Sequence, residues 1–529
     1  MKFRKSSLFV FLSLVLAVMP LAAGGQSGSS GAAAQGPVGK IDYPIKTNVT
    51  LTYWSEMHPN LSSNYANYGD APYMKGLVER TGIKVEYLHP PTGGGSEQFN
   101  LIIASGDLPD IMEWNWLNYP GGPENAISDN IILKLNDTMQ KYSPNLVEVL
   151  KSNPAWDRML KTDLGSYYYY PLIRGDPSLC IYLGPQIRKD WLDELKLSLP
   201  VTYDDWHTVL TAFKQMKNSP APLILQFYRD SFVYGYGIAS DFYIGTDGKV
   251  KYGRIDPAFR SYLTMVAQWY KEGLLDPDIA TVTDAQVAQK VVSGAAGATI
   301  GSLGGNMGVW IPAARATNPT FELVAAAYPV VKKGDKPFMI DLDNPVYPVG
   351  PAITASSKNI ELAARLLDYG YSKEGGMYSN YGTEGVSYNM INGYPTFTDL
   401  IMKNPQGWPL AQSISAYARS PIVGPFVQAK EYLEQYFALP EQKAAPSTWA
   451  ISDPYKYKMP PVTPSPAESQ EFARIMSEIN TYVNEMRVKF ILGTEPISNF
   501  DAYVNIIKRM GIDRAIEIQN AALARYNAR

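Results

Sequence analysis

Strand-like and helix-like stretches alternate along this chain from Asn48 onward, and that alternation does most to restrict its fold. Val49, Leu51 and Tyr53 alternate with Thr50, Thr52 and Trp54, the period of two expected of a strand with one buried face. The spacing predicts a helix over 71–81, stopped by Gly82, and a second strand over 83–87, which together make a βαβ unit. A helix over 98–105 breaks at Gly106-Asp-Leu-Pro109, and a third strand, 110–114, runs into a loop rich in aromatic residues and glycine. The expected class is therefore α/β. About 480 residues follow the start of the first strand, enough for at least two domains.

Residues 1–24 read as an export signal: Lys2, Arg4 and Lys5 precede an apolar run from Leu8 to Met19, then Pro20, Ala22, Ala23 and Gly24. The run is shorter than the roughly 20 residues of a membrane-spanning helix, so the folded part is expected to work outside the cytoplasm. Residues 25–47, with Gln26-Ser-Gly-Ser-Ser-Gly31 and Gly36-Pro-Val-Gly39, read as a flexible linker. No cysteine stands in Ala22-Ala-Gly-Gly25, so lipid anchoring through an N-terminal cysteine is not expected. The signal is either cut near Ala23 or Gly24 or retained as an anchor.

Composition removes several classes of function. A net charge of -3 supplies no field for nucleic acid or anionic membrane, so neither is expected as a partner. The one cysteine, Cys180, lies in an apolar run and reads as a buried thiol. The three histidines, His58, His89 and His207, lack metal-ligand spacing, and neither a metal nor a cofactor is expected. Against this, 37 tyrosines and 10 tryptophans supply many flat faces suited to stacking on sugars or packing around peptides.

In the middle of the chain, 167–172 and 179–183 are strand candidates, 187–195 is a short amphipathic helix, and Thr202 caps a helix over 203–216 with Asp204 and Asp205 in its first turn. A helix over 256–271 stops at Gly273. The loop Gly301-Ser-Leu-Gly-Gly-Asn-Met-Gly308 lacks the Lys and Ser/Thr of a phosphate cradle and is either a close backbone turn or a wall of a cleft.

The segment Ile187-Arg-Lys-Asp-Trp-Leu-Asp-Glu-Leu-Lys-Leu-Ser-Leu-Pro-Val-Thr-Tyr-Asp-Asp-Trp206 resembles the signature of family 1 extracellular solute-binding proteins of ABC importers. Further blocks agree in order: Ala104-Ser-Gly-Asp-Leu-Pro-Asp-Ile111, Tyr270-Lys-Glu-Gly-Leu-Leu-Asp-Pro277, Tyr381-Gly-Thr-Glu-Gly-Val-Ser-Tyr388 and Phe490-Ile-Leu-Gly-Thr-Glu-Pro-Ile497. The last two resemble the LipO-like branch. The resemblance implies a two-lobed periplasmic-binding-protein fold of type II, with mixed sheets flanked by helices and a hinged cleft between lobes. Chain crossings are expected near Pro171, over 343–350 and over 391–395, which puts 48–170 plus 351–390 in lobe 1 and 171–350 plus 391–529 in lobe 2. The implied partners are a small solute, with a sugar or oligosaccharide favoured by the aromatic content, and the membrane subunits of an ABC permease; a monomer is expected.

Ligands of open parallel sheets bind at the carboxyl ends of strands, which nominates Trp54, Glu56, Trp114, Asn115 and Trp116, with a core role as the alternative for Trp54. Arg174 and Asp176 follow the first crossing and either reach across the cleft or form a surface ion pair. Tyr228 and Arg229 are placed after a strand, and Glu384 and Tyr388 beside Gly382 and Gly385. Arg188 and Asp190 read as a structural network, and 416–419 as a further rim contact. Two rival functions share features with this reading. One is a receptor presenting solute to a membrane sensor; the other is a secreted carbohydrate-active enzyme built on Asp341/Asp343 or Asp107/Asp110.

Overall fold

The computed structural model describes residues 42–226, 230–450 and 454–529, all within the compact unit Gly39–Arg529. The export signal and linker residues 25–41 lie outside the described residues, as do Tyr228 and Arg229. The strands, in chain order, begin with β1 (Thr50–Trp54), β2 (Lys84–Leu88), β3 (Ile111–Asn115), β4 (Leu172–Arg174), β5 (Leu183–Arg188) and β6 (Ala221–Ile224). A hairpin of β7 (Phe242–Ile244) and β8 (Val250–Tyr252) follows, then β9 (Ala296–Ser302), β10 (Leu323–Ala325) and β11 (Val349–Ile353). A second hairpin, β12 (Tyr388–Ile391) and β13 (Tyr394–Phe397), and β14 (Phe426–Gln428) complete them.

Two four-stranded mixed sheets each carry a lobe. In the first, ordered β11-β3-β1-β2, β1 is parallel to both neighbours and β11 runs antiparallel to β3. The helix Pro72–Thr81 makes the β1–β2 crossover, and its end requires glycine: Gly82 has φ 73° and a Cβ there would meet the Ile45 carbonyl oxygen at 2.1 Å. In the second sheet, ordered β10-β5-β9-β6, β5 is antiparallel to both neighbours and β9 is parallel to β6. The helix Tyr203–Met216 packs on it, with Thr202 and Asp205 forming the capping box that the first-turn acids foreshadowed.

Each sheet has its own apolar core. Leu51, Ile111, Met112, Leu146, Ile353 and Leu367 belong to one, and Ile187, Phe213, Leu223, Ile300, Ile479 and Phe490 to the other. The C-terminal helices Pro466–Leu492, Phe500–Arg509 and Ile512–Ala528 contribute buried residues to the second. Cys180 is wholly buried there, and burial pushes its thiol up.

The chain passes between the cores three times, and the three passes lie side by side. β4 pairs in parallel with β14, while Ile173 bridges antiparallel to Val346. Arg174 N donates to Pro345 O at 2.7 Å, Tyr347 N to Leu172 O at 2.9 Å and Gly175 N to Gln428 O at 3.0 Å. The first two passes are β4, after Pro171, and the segment 343–347 beside it. Residues 391–395, expected as a crossing, form instead the β12–β13 hairpin, because Asn392 (φ 53°) and Gly393 (φ 79°) make a two-residue turn, and β14 supplies the third pass. Until then it stays with the first lobe, where Asn64 donates to Gln412, Tyr65 packs edge-on to Trp408, and Ile422 enters the core. Two further expectations shift. Residues 167–171 are extended but unpaired in a ladder, and 179–183 open with a 3-10 turn, so that β5 occupies the first part of the expected 187–195 helix.

Candidate functional site

Two adjoining cavities of about 400 Å³ and about 330 Å³ share His58, Ile422 and Val423, and together form a cleft along the crossing strands. The first lobe supplies the loop after β1 (Glu56 to Pro59), Tyr68, the carboxyl end of β3 (Glu113, Trp114, Asn115) and Asn118. The crossing strands supply Arg174, Tyr347 and Gln428, the second lobe Tyr182, Gly304, Gly305 and Tyr436, and the small cluster around Tyr381 and Phe397 supplies Tyr432. The glycine segment is not a turn: 301–302 end β9 and Leu303–Met307 form a π-helix, whose Gly304 and Gly305 line the cavity, and a Cβ on Gly304 would come within 2.8 Å of the Tyr436 ring. Parallel pairing of β1 and β3 puts both carboxyl ends at this cleft, the usual ligand position for such sheets.

The tryptophans divide by depth. Trp54 is in register with Met112, two residues before Trp114 and one pleat deeper. It is therefore 1% exposed, and its Nε1 donates to Gln98 Oε1 at 3.2 Å. Trp116 starts a 3-10 turn and is fully buried, edge-on to Phe99. Trp114 is half-buried on the cavity wall, with Phe99 stacked on one face at 4.4 Å between centroids. Asn115 also lines the wall, and its Oδ1 accepts from Leu117 N. Glu56 is exposed at the mouth.

Arg174 reaches the cavity from the crossing strands, ion-paired with Asp343 and donating from Nη1 to Gln428 Oε1 at 3.0 Å. It thereby ties all three crossings together. Asp176 is not on the cavity wall; its carboxylate caps the turn Pro177–Cys180 by accepting from Ser178 N and Oγ, which hold it below the usual carboxylate range. Glu384 is exposed and Tyr388 packs with Tyr381 and Phe397 in a small satellite core, both apart from the cavity walls. Arg188 and Asp190 form a bidentate pair at 2.8 and 2.6 Å beneath Trp191 and Phe321, a structural network.

Set into the wall, and running behind it, is a largely buried polar cluster. Glu113 Oε2 accepts from Tyr53 Oη at 2.7 Å and sits 3.5 Å from Arg419 Nη2, whose guanidinium lies over the Tyr68 ring. Burial raises the Glu113 carboxyl, opposed by Arg419 and by the Tyr53 hydrogen bond. Arg419 is thus a support inside the lobe rather than a rim contact. His58 N donates to Tyr68 Oη, Tyr68 Oη donates to Glu56 O, and His58 Nδ1 accepts from Asn60 N, which assigns the imidazole proton to Nε2. Desolvation, then the nearby Arg419 charge, lowers His58 to about 4, so it is neutral at physiological pH. An acid inside the apolar run Ile111-Met-Glu-Trp114 was the one sequence signal for this cluster. Ser420 to Val423, on the cavity wall, carries no periodicity to announce it.

Three of the four carboxylates of the enzyme reading, those of Asp110, Asp341 and Asp343, are engaged within the fold. Asp110 accepts from Thr52 N and Oγ1 and from Ser357 Oγ, Asp343 pairs with Arg174, and Asp341 accepts from Ser231 and Tyr234. No group of three or more potential metal ligands occurs among the described residues, and no described helix is long and apolar enough to cross a membrane.

Two lobes, each on a mixed sheet, joined by three crossing strands with a cleft lined from both sides, define a two-lobed solute-binding architecture. The chain belongs to the bacterial extracellular solute-binding protein family, whose sequence profile matches residues 65–377. It is 24% identical to the fructooligosaccharide ABC transporter substrate-binding protein FusA of Streptococcus pneumoniae, over 92% of each chain. It is also 24% identical to lipoprotein LipO of Bacillus subtilis, over 63% of this chain and 67% of that one. The crystal structure of the alginate-binding protein AlgQ2 without calcium ion superposes with a TM-score of 0.74 at 27% identity, covering 90% of this chain and 98% of that one.

Proposed function

We propose that this protein captures a sugar or oligosaccharide outside the cytoplasm, in the cleft between its lobes, and delivers it to the membrane subunits of an ABC importer. The observation that carries this reading is the combination at the cleft of a half-buried Trp114, backed by Phe99, with amide and carboxylate groups at Asn115, Asn118 and Glu113. A flat apolar ring beside fixed hydrogen-bonding groups matches a pyranose or furanose, which offers an apolar face and an edge of hydroxyls. The named fructooligosaccharide-binding relative supports the class of solute.

The solute-contacting residues in this reading are Glu56, Trp114, Asn115 and Arg174, with Asn118, Glu113 and Gln428 added from the geometry. Trp54 and Trp116 act one layer back by fixing Phe99 and Trp114. Lobes 1 and 2 meet at the segments 171–175, 342–347 and 426–430, and closure there brings Tyr182, Tyr432 and Tyr436 onto a solute already resting on Trp114. Calorimetric titration of the full chain with oligosaccharides, read alongside tryptophan fluorescence and thermal shift, tests the proposal. Saturable stabilisation with unaltered ligand recovered afterwards is the expected result; release of a cleaved product would refute it.

A further inference from the structure

Charge on the cleft wall is unevenly committed. Among the described residues lining the two cavities, the acids and bases other than His58 are Glu56, Glu113 and Arg174. Arg174, the single cation, is paired with Asp343 and bonded to Gln428. Arg419 is 5% exposed behind the wall, facing Glu113 and the Tyr68 ring, and lines neither cavity.

The two acids, by contrast, both border the first-lobe cavity. Glu56 rests on the first turn of the helix Gly95–Ser105, so closely that a Cβ on Gly95 would fall 1.5 Å from its Oε1. A helix N-terminus stabilises negative charge there. Glu113 is fixed by Tyr53 and Arg419. Ionised carboxylates accept hydrogen bonds and donate none, so they favour a ligand that brings donors. Sugar hydroxyls do so; a uronate carboxylate does not, and it would meet the Glu56 carboxylate and the Glu113 carboxyl oxygens with Arg174 and Arg419 already paired.

We propose that the cleft selects uncharged oligosaccharides over those bearing uronate carboxylates, with Glu56 and Glu113 as the specificity-determining residues, an inference that rests on the oligosaccharide reading above. The test uses the full chain and paired tri- and tetrasaccharides of one backbone, neutral and C6-oxidised, in gluco, manno and galacto series, with fructooligosaccharides as a further neutral set. Titrations at about 50 mM and about 300 mM salt separate screened charge effects from packing.

For any backbone that binds, the uronate is expected to bind at least about tenfold more weakly, with the gap narrowing at higher salt. Glu56→Gln, a change at an exposed site, narrows the gap further. Glu113→Gln keeps an acceptor for Tyr53 but leaves Arg419 without its counter-charge, so its fold is checked by near-ultraviolet circular dichroism first. A uronate bound as tightly as its neutral partner, or a gap unchanged in a folded Glu56→Gln variant, overturns the charge selection. Failure of every neutral and acidic glycan to bind refutes the oligosaccharide reading instead.

Discussion

Acid should act on this protein through His58. The imidazole caps the helix Pro59–Ser62 as an acceptor, borders both cavities, and is lowered to about 4 by burial and then by Arg419, against an ordinary value of 6.5. The unfolded chain therefore binds a proton near pH 6.5 that the folded chain refuses until about pH 4, so this group's contribution is present above pH 6.5 and is lost as pH falls through that window. At about 1.4 kcal/mol per unit, the loss between pH 7.5 and pH 4.5 is about 2.5 kcal/mol. Urea unfolding of the native chain and of His58→Asn at the two pH values measures it, since asparagine keeps a capping acceptor without a titrating ring. The variant is expected to lose about 2.5 kcal/mol less than the native chain; every other titrating group is common to both and cancels. With three histidines in the chain, the His58 ring resonance can also be followed directly by NMR. A His58 titration midpoint near 6.5, or equal pH dependence in the two proteins, would refute the argument from burial.

Trp114→Ala removes the ring on the cavity wall and is expected to weaken glycan binding by roughly ten- to a hundredfold in calorimetry while unfolding stays cooperative; loss of the cooperative transition would assign the ring to the core. Asp163 is a buried carboxylate that accepts from Arg525 Nε at 2.6 Å and from Arg529, itself 4% exposed, so Asp163→Ala leaves a buried cation unpaired. Chemical denaturation should show a cost of about 3 kcal/mol, against near zero for the exposed pair Lys403–Asp399. Gly82→Ala forces a Cβ against the Ile45 carbonyl at positive φ and should lower stability by about 1–3 kcal/mol in the same assay, with no change in affinity.

The sequence by itself determined the elements whose signals are local. A period-two apolar run specifies β1, the break Gly106-Asp-Leu-Pro109 sets the start of β3, Gly82 ends the first crossover helix, Thr202 and Asp205 cap the helix Tyr203–Met216, and five ordered blocks indicate the family. Each of these follows from neighbours within a turn or a pleat, where a side chain's partner is its own backbone. Tertiary structure alone decided which strand-end tryptophan meets the cavity. The β1–β3 register sets Trp54 beside Met112 and leaves Trp114 at the wall, a difference of one pleat that no single strand encodes. It also moved the third crossing from the Asn392-Gly393 turn to β14, and it joined Arg419 to Glu113 and Arg174 to Asp343 across 306 and 169 positions of chain. Such pairs form because buried charges need partners, and only the folded packing fixes which charge is close enough to serve.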